Sequence, residues 1–114
     1  MWKEKQSKYH NKKTVVDGIS FDSKKEAGRF LELMMMQRGG QIQNLRRQVK
    51  FEIVPKKNGV RRTRFYIADF VYERPDGKKV IEDVKSRITK QNPVYTLKRD
   101  LVLWQYPDFD FIES

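Results

Sequence analysis

Two short stretches of this 114-residue chain put charge where a strand wants apolar side chains. The first is Phe65-Tyr66-Ile67-Ala68-Asp69-Phe70-Val71-Tyr72, with one carboxylate in an otherwise apolar run. Such a group is costly to bury unless it is paired or bound to a metal. The second is Val80-Ile81-Glu82-Asp83-Val84-Lys85. Strand alternation places Ile81, Asp83 and Lys85 on one face and Val80, Glu82 and Val84 on the other. The same alternation predicts that Asp69 shares a face with Phe65, Ile67 and Val71. If the two stretches are neighbouring strands, Asp69 approaches Asp83, and Lys85 lies one pleat further on.

Two carboxylates and an ammonium gathered at a strand end suit metal-assisted hydrolysis of a phosphodiester. Carboxylates hold a hard cation such as Mg²⁺ or Mn²⁺ through oxygen. The cation polarises the phosphate and acidifies a bound water. A lysine holds that water or offsets charge that develops at phosphorus. A cross-strand salt bridge is the plainer alternative for the same residues.

The elements that must position these groups follow from patterning. Thr14–Val16, Asp17-Gly18 and Ile19–Phe21 read as a hairpin, since Asp-Gly between β-formers marks a two-residue turn. Ser23-Lys24-Lys25-Glu26 has the form of a capping box. It opens a helix that should run to Arg38 and stop at Gly39-Gly40. Ala27, Phe30, Leu31 and Met34 give this helix its apolar face, widened by Leu33, Met35 and Met36. Glu26 has two readings: a helix cap, or a carboxylate at the margin of that face directed along the sheet towards Asp69.

Val49–Val54, Arg64–Tyr72 and Lys79–Lys85 read as three strands. An Asn-Gly turn lies within Lys56–Gly59, and Pro75-Asp76-Gly77 makes the last two strands a hairpin. A second helix is predicted from Val94 to about Tyr106, with Leu97, Leu101 and Trp104 on one stripe, and Pro107 ends it. Phe109–Ile112 is a final strand. The order predicts one mixed α/β domain over residues 14–114: a central sheet, flanking helices and an N-terminal hairpin. Residues 1–13 are a basic arm.

The net charge is +10, from 25 Lys and Arg against 15 Asp and Glu. That surplus points to a polyanionic partner, nucleic acid first. Lys56, Lys57, Arg61, Arg62 and Arg64 flank one turn, with Arg46 and Arg47 before it, and this cluster fits phosphates without reading sequence. Lys12 and Lys13 in the arm and Lys98 on the second helix extend the set. The chain has no cysteine, which excludes disulfides, zinc knuckles and thiol nucleophiles. With one histidine, His10, a histidine-rich metal centre is not expected. Neither a signal peptide nor a membrane span is evident, so a cytoplasmic location is expected, with no membrane partner.

Asp69 followed by Asp83-Val84-Lys85, with an acidic residue on an upstream helix, resembles the bipartite signature of the PD-(D/E)XK nucleases. More narrowly, the chain resembles small phage-encoded proteins grouped as DUF1064. The matching stretches are Ser7-Lys8-Tyr9-His10-Asn11-Lys12-Lys13, Phe21-Asp22-Ser23-Lys24-Lys25-Glu26-Ala27, Ile67-Ala68-Asp69-Phe70 and Glu82-Asp83-Val84-Lys85. Ala68 stands where the signature has Pro, and Asp83 where Glu is commoner. Pro107-Asp108 is a literal Pro-Asp that no carboxylate-x-Lys follows.

The resemblance implies a restriction-endonuclease-like core and catalytic residues Glu26, Asp69, Asp83 and Lys85. Asp69, Asp83 and Glu26 would be the carboxylates for Mg²⁺ or Mn²⁺. It also implies a DNA endonuclease acting on branched recombination intermediates, like a Holliday-junction resolvase. Two symmetric nicks favour a homodimer. A nuclease of linear or single-stranded DNA, or a non-catalytic DNA- or RNA-binding protein, shares the same charge and stays open.

Overall fold

The computed structural model describes residues 13–114. Strands β1 (Thr14–Val16) and β2 (Ile19–Phe21) form the expected hairpin, an antiparallel two-stranded sheet. Asp17 and Gly18 both have positive φ, 52° and 76°. That is the mirror-image turn whose twist matches the strands, and it explains the Asp-Gly pair. Helix α1 (Lys24–Arg38) starts at Ser23, whose hydroxyl accepts from the Glu26 amide at 3.1 Å. It ends at Gly39, with Gly40 left-handed.

The main sheet has the order β3-β4-β5-β6, from β3 (Gln43–Val54), β4 (Arg64–Glu73), β5 (Lys79–Asp83) and β6 (Phe109–Glu113). β3, β4 and β5 are antiparallel, whereas β6 lies parallel to β5. A parallel neighbour needs a crossover. The short helix α2 (Arg87–Lys90) and helix α3 (Pro93–Gln105) provide it. The result is a mixed α/β fold with a four-stranded mixed sheet, flanking helices and an N-terminal hairpin.

Each face of the sheet carries its own core. Phe21, Phe30 and Leu33 pack on Phe70, Tyr72 and Val80 under α1. Phe51, Tyr66, Ala68, Val71 and Ile81 pack with Val102 under α3. Three expectations change. β3 begins six residues before Val49, because its polar first half pairs with the end of β4 (Gln43 with Glu73, Arg46 with Val71). On α1, Leu31 and Met35 are exposed, and Leu33 is the fully buried side chain. On α3, Leu97 and Trp104 are exposed, 62% and 76%, while Val102 is buried. The helix is rotated so that Tyr95 and Val102, seven residues apart and so on one stripe, meet the sheet. Among the described residues no helix is long and apolar enough to cross a membrane.

Candidate active site

The antiparallel register sets Phe70 opposite Glu82, so Asp69 and Asp83 meet at the end of the β4–β5 ladder. Each carboxylate is tied to the other strand's backbone. The Asp69 amide donates to Asp83 Oδ1 at 2.8 Å, and the Val84 amide donates to Asp69 Oδ2 at 2.9 Å. Lys85 Nζ lies 3.8 Å from Asp69 Oδ2 and 5.4 Å from the centre of the Tyr95 ring.

Asp69 sits where the strand changes phase. Tyr66 and Ala68 belong to the core under α3, yet Phe70 and Tyr72 belong to the core under α1. Strict alternation would keep all four on one face. Opposite, Gln48 takes a left-handed conformation, φ 51°, between the rungs Arg47–Phe70 and Val49–Ala68. The expected common face of Asp69 with Phe65, Ile67 and Val71 is therefore corrected. Phe65 and Ile67 are exposed, and Val71 packs with Tyr66 and Ala68. The reversal lets one short sheet serve two helices on opposite faces, and Asp69 occupies the point of change.

Glu26 is buried and joins Asp69 and Lys85 in lining a cleft of about 350 Å³, with Asp22, Ser23, Ser86 and Thr89 around it. Ser23 caps the helix, but the reciprocal bond, from the Ser23 amide to the Glu26 carboxylate, is absent among the described residues. Glu26 Oε2 instead accepts from Gln48 Nε2 at 3.3 Å. Burial, then the charges of Asp69 and Asp22, push the Glu26 carboxyl up to about 7, against the pull of Arg47 and Lys85. Burial also pushes Asp83 upward, opposed by the hydrogen bond from the Asp69 amide and by Lys85. Asp83 is fully buried, and its Oδ2 has no hydrogen-bond partner among the described residues.

Glu82 points the other way, as alternation predicts. Burial alone would raise it, but hydrogen bonds from Arg29, Tyr72 and Ser114 hold its carboxyl below the usual range. It anchors α1 to the sheet through Arg29.

The donors available to a cation are carboxylate oxygens, which suit Mg²⁺ or Mn²⁺. Asp69 and Glu26 both line the cleft, and the charges of Asp69 and Asp22 add to burial in raising Glu26, which fits a cation bound beside them; Asp83 Oδ2 is enclosed. Among the described residues no three His, Cys, Asp or Glu side chains form a ready-made cage. A Mg²⁺ held by one or two carboxylates, with waters and phosphate oxygens completing its shell, needs none.

Lys56, Lys57, Arg61, Arg62 and Arg64 are exposed on and beside the β3–β4 turn. Asn58 and Gly59 both have positive φ there, as an Asn-Gly turn requires. The Val54–Arg64 rung is five residues from Asp69, on the order of 17 Å along the ribbon. Arg46 is exposed, but Arg47 is half-buried, its guanidinium 4.4 Å above the Phe21 ring. Lys13 is exposed and 3.1 Å from Asp22; Lys12 lies outside the described residues. Lys98 lines a second cleft beside Lys85. Asp110 pairs with Arg74, and Asp108 is exposed, both remote from the Asp69 cleft.

Patterning alone missed Gln48, which holds Glu26, and Thr89 and Tyr95, which flank Lys85. None sits in a motif. Asp22 did stand in a motif stretch, directly before the helix cap.

The family described as "Protein of unknown function (DUF1064)" matches residues 6–112. The chain belongs to this family. Glu26, Asp69, Asp83 and Lys85 all fall within the matched span. No curated protein and no solved structure matches the chain.

Proposed function

We propose that this DUF1064 protein is a metal-dependent DNA endonuclease with a restriction-endonuclease-like core, of the PD-(D/E)XK type. One observation carries the reading: Glu26, Asp69 and Lys85 line one cleft, and the Asp69 amide is bonded to a buried Asp83 whose Oδ2 has no partner among the described residues. A helix, two strands and an irregular rung assemble this group, which a simple cross-strand pair does not need.

When bound by Asp69 and Asp83, with Glu26 beside them, Mg²⁺ or Mn²⁺ would polarise the phosphate and acidify the attacking water. The residues supply the rest. Water oxygen adds to phosphorus, the water proton leaves, and one P–O ester bond breaks, its departing oxygen taking a proton from solvent. Glu26, which lines the cleft with Asp69, is placed to take the water proton. Lys85, 3.8 Å from Asp69, offsets the negative charge that grows on the phosphate. The Val84 and Asp69 amides fix the two aspartates in place.

The +10 charge and the basic β3–β4 turn support DNA as the substrate. Branched recombination DNA is the proposed form, in a phage or prophage setting within the bacterial cytoplasm, with a homodimer supplying two nicks. The basic arm would lie along phosphates.

The test is cleavage of labelled four-way junction, duplex and single-stranded DNA, with Mg²⁺ or EDTA, beside an Asp83→Ala control. Cutting that needs Mg²⁺ and is abolished in folded Asp83→Ala supports the reading. DNA binding with no cutting in any arm leaves a non-catalytic binding protein.

A further inference from the structure

A second cleft, of about 440 Å³, opens on the other side of Lys85, between the outer part of β4 and the start of α3. It shares Lys85 and Thr89 with the carboxylate cleft, so the two are neighbours. Its chemistry differs. Ile67 and Val94 line it and are 48% and 62% exposed. Lys98 adds a second cation. Tyr66 also lines it, is only 4% exposed, and has a hydroxyl with no hydrogen-bond partner among the described residues. An unpaired buried hydroxyl is costly and calls for an explanation. The hydroxyl has almost no accessible surface, so a ligand supplies its partner only where the cleft's side chains part to admit it.

We propose that this cleft receives a single unpaired nucleobase of the DNA strand whose phosphate lies against Asp69 and Lys85. The inference rests on the nuclease reading for the position of that phosphate. An apolar surface, one hydrogen-bonding hydroxyl and flanking lysines match a base, its edge and its neighbouring phosphates. A base inside a duplex must first be unstacked and unpaired, a cost that an unpaired base does not bear. The cleft therefore selects DNA with an unpaired nucleotide next to the cut, such as a branch point or flap.

Anisotropy titrations in EDTA would compare a duplex with the same duplex carrying one unpaired nucleotide. Roughly tenfold tighter binding of the second is expected, within the range of burying one base on a protein. Ile67→Gln with Val94→Gln, which leaves the protein's charge unchanged, should erase that preference and leave duplex affinity near wild type. Tyr66→Phe should be at least as stable as wild type and should lower the preference severalfold. 2-Aminopurine at the unpaired position should change fluorescence on binding wild type.

Equal affinity of wild type for the two DNAs overturns the proposal, as does a preference that survives in the folded double variant. If the double variant does not fold, an undiminished preference in Tyr66→Phe overturns it. Parallel assays with Mg²⁺ separate the two readings. Selective binding without cutting of any DNA sinks the nuclease and leaves the cleft. Cutting of both DNAs, without selective binding, sinks the cleft and leaves the nuclease.

Discussion

Lys85 is one of 25 lysines and arginines, and its contribution to long-range attraction for DNA is correspondingly small. Its place beside Asp69 is what sets it apart. Lys85→Ala should keep DNA and metal binding and lose cleavage by roughly a hundredfold or more, the worth of one preorganised charge at about 3 kcal/mol. Single-turnover cleavage at saturating enzyme, with thermal unfolding alongside, checks this. A folded, DNA-bound variant cutting at the wild-type rate would remove Lys85 from the chemistry. Glu26 gives a prediction with a definite sign. Its folded carboxyl is raised from 4.5 to about 7, so between those values the native state holds the proton more tightly than the unfolded chain. Stability from this group is complete below about 4.5, falls as pH rises towards 7, and stays low above it. Without metal, Glu26→Gln should therefore be more stable than wild type at pH 8, on the order of 2 kcal/mol, and equal to it near pH 4. Chemical denaturation at the two pH values reads the difference. Adding Mg²⁺ at pH 8 should stabilise wild type more than the variant.

At the scale of elements, α1 must be held at a fixed height over the sheet for Glu26 to reach the cleft. Arg29, one turn after Glu26, makes the polar connection. Its guanidinium donates to both oxygens of Glu82, which is fully buried and also receives Tyr72 and Ser114. Burial, with the Glu82 hydrogen bond, pushes the Tyr72 hydroxyl up to about 12, so it stays a donor at any physiological pH. Removing one partner of a buried pair strands the other's charge. Arg29→Ala should thus cost about 3 kcal/mol in urea denaturation, and adding Glu82→Gln should recover part of the loss. No recovery in the double variant would mean that Arg29 acts through packing of its stem instead.

For the molecule as a whole, a +10 field draws DNA in, and the exposed β3–β4 turn is where much of it is concentrated. Reversing Arg61 and Arg62 to glutamate should weaken DNA affinity and shrink the slope of log K against log salt by roughly two units, as fewer counterions are released. An unchanged slope would assign these arginines to solvent alone. What the sequence by itself determined here is local: the Asp-Gly hairpin, the Ser23 start and Gly39 stop of α1, the Asn-Gly and Asp-Gly turns, and the β4–β5 pairing that brings Asp69 to Asp83. Each depends on one residue's conformational preference or on a period of two, and both are written in the chain. The rest depended on which face of each element finds cover. Period two failed at Asp69 because two helices on opposite faces compete for one strand, and the backbone reverses its pleat at Gln48 to satisfy both. The α3 stripe was misplaced for the same reason: apolar residues lie on several sides of that helix, and only docking chose Tyr95 and Val102 over Leu97 and Trp104. The parallel β6 and the reach of Glu26 past its capping position to Gln48 and the cleft are likewise long-range contacts. No local pattern specifies them, because their partners are separated by tens of residues and meet only when the two cores close.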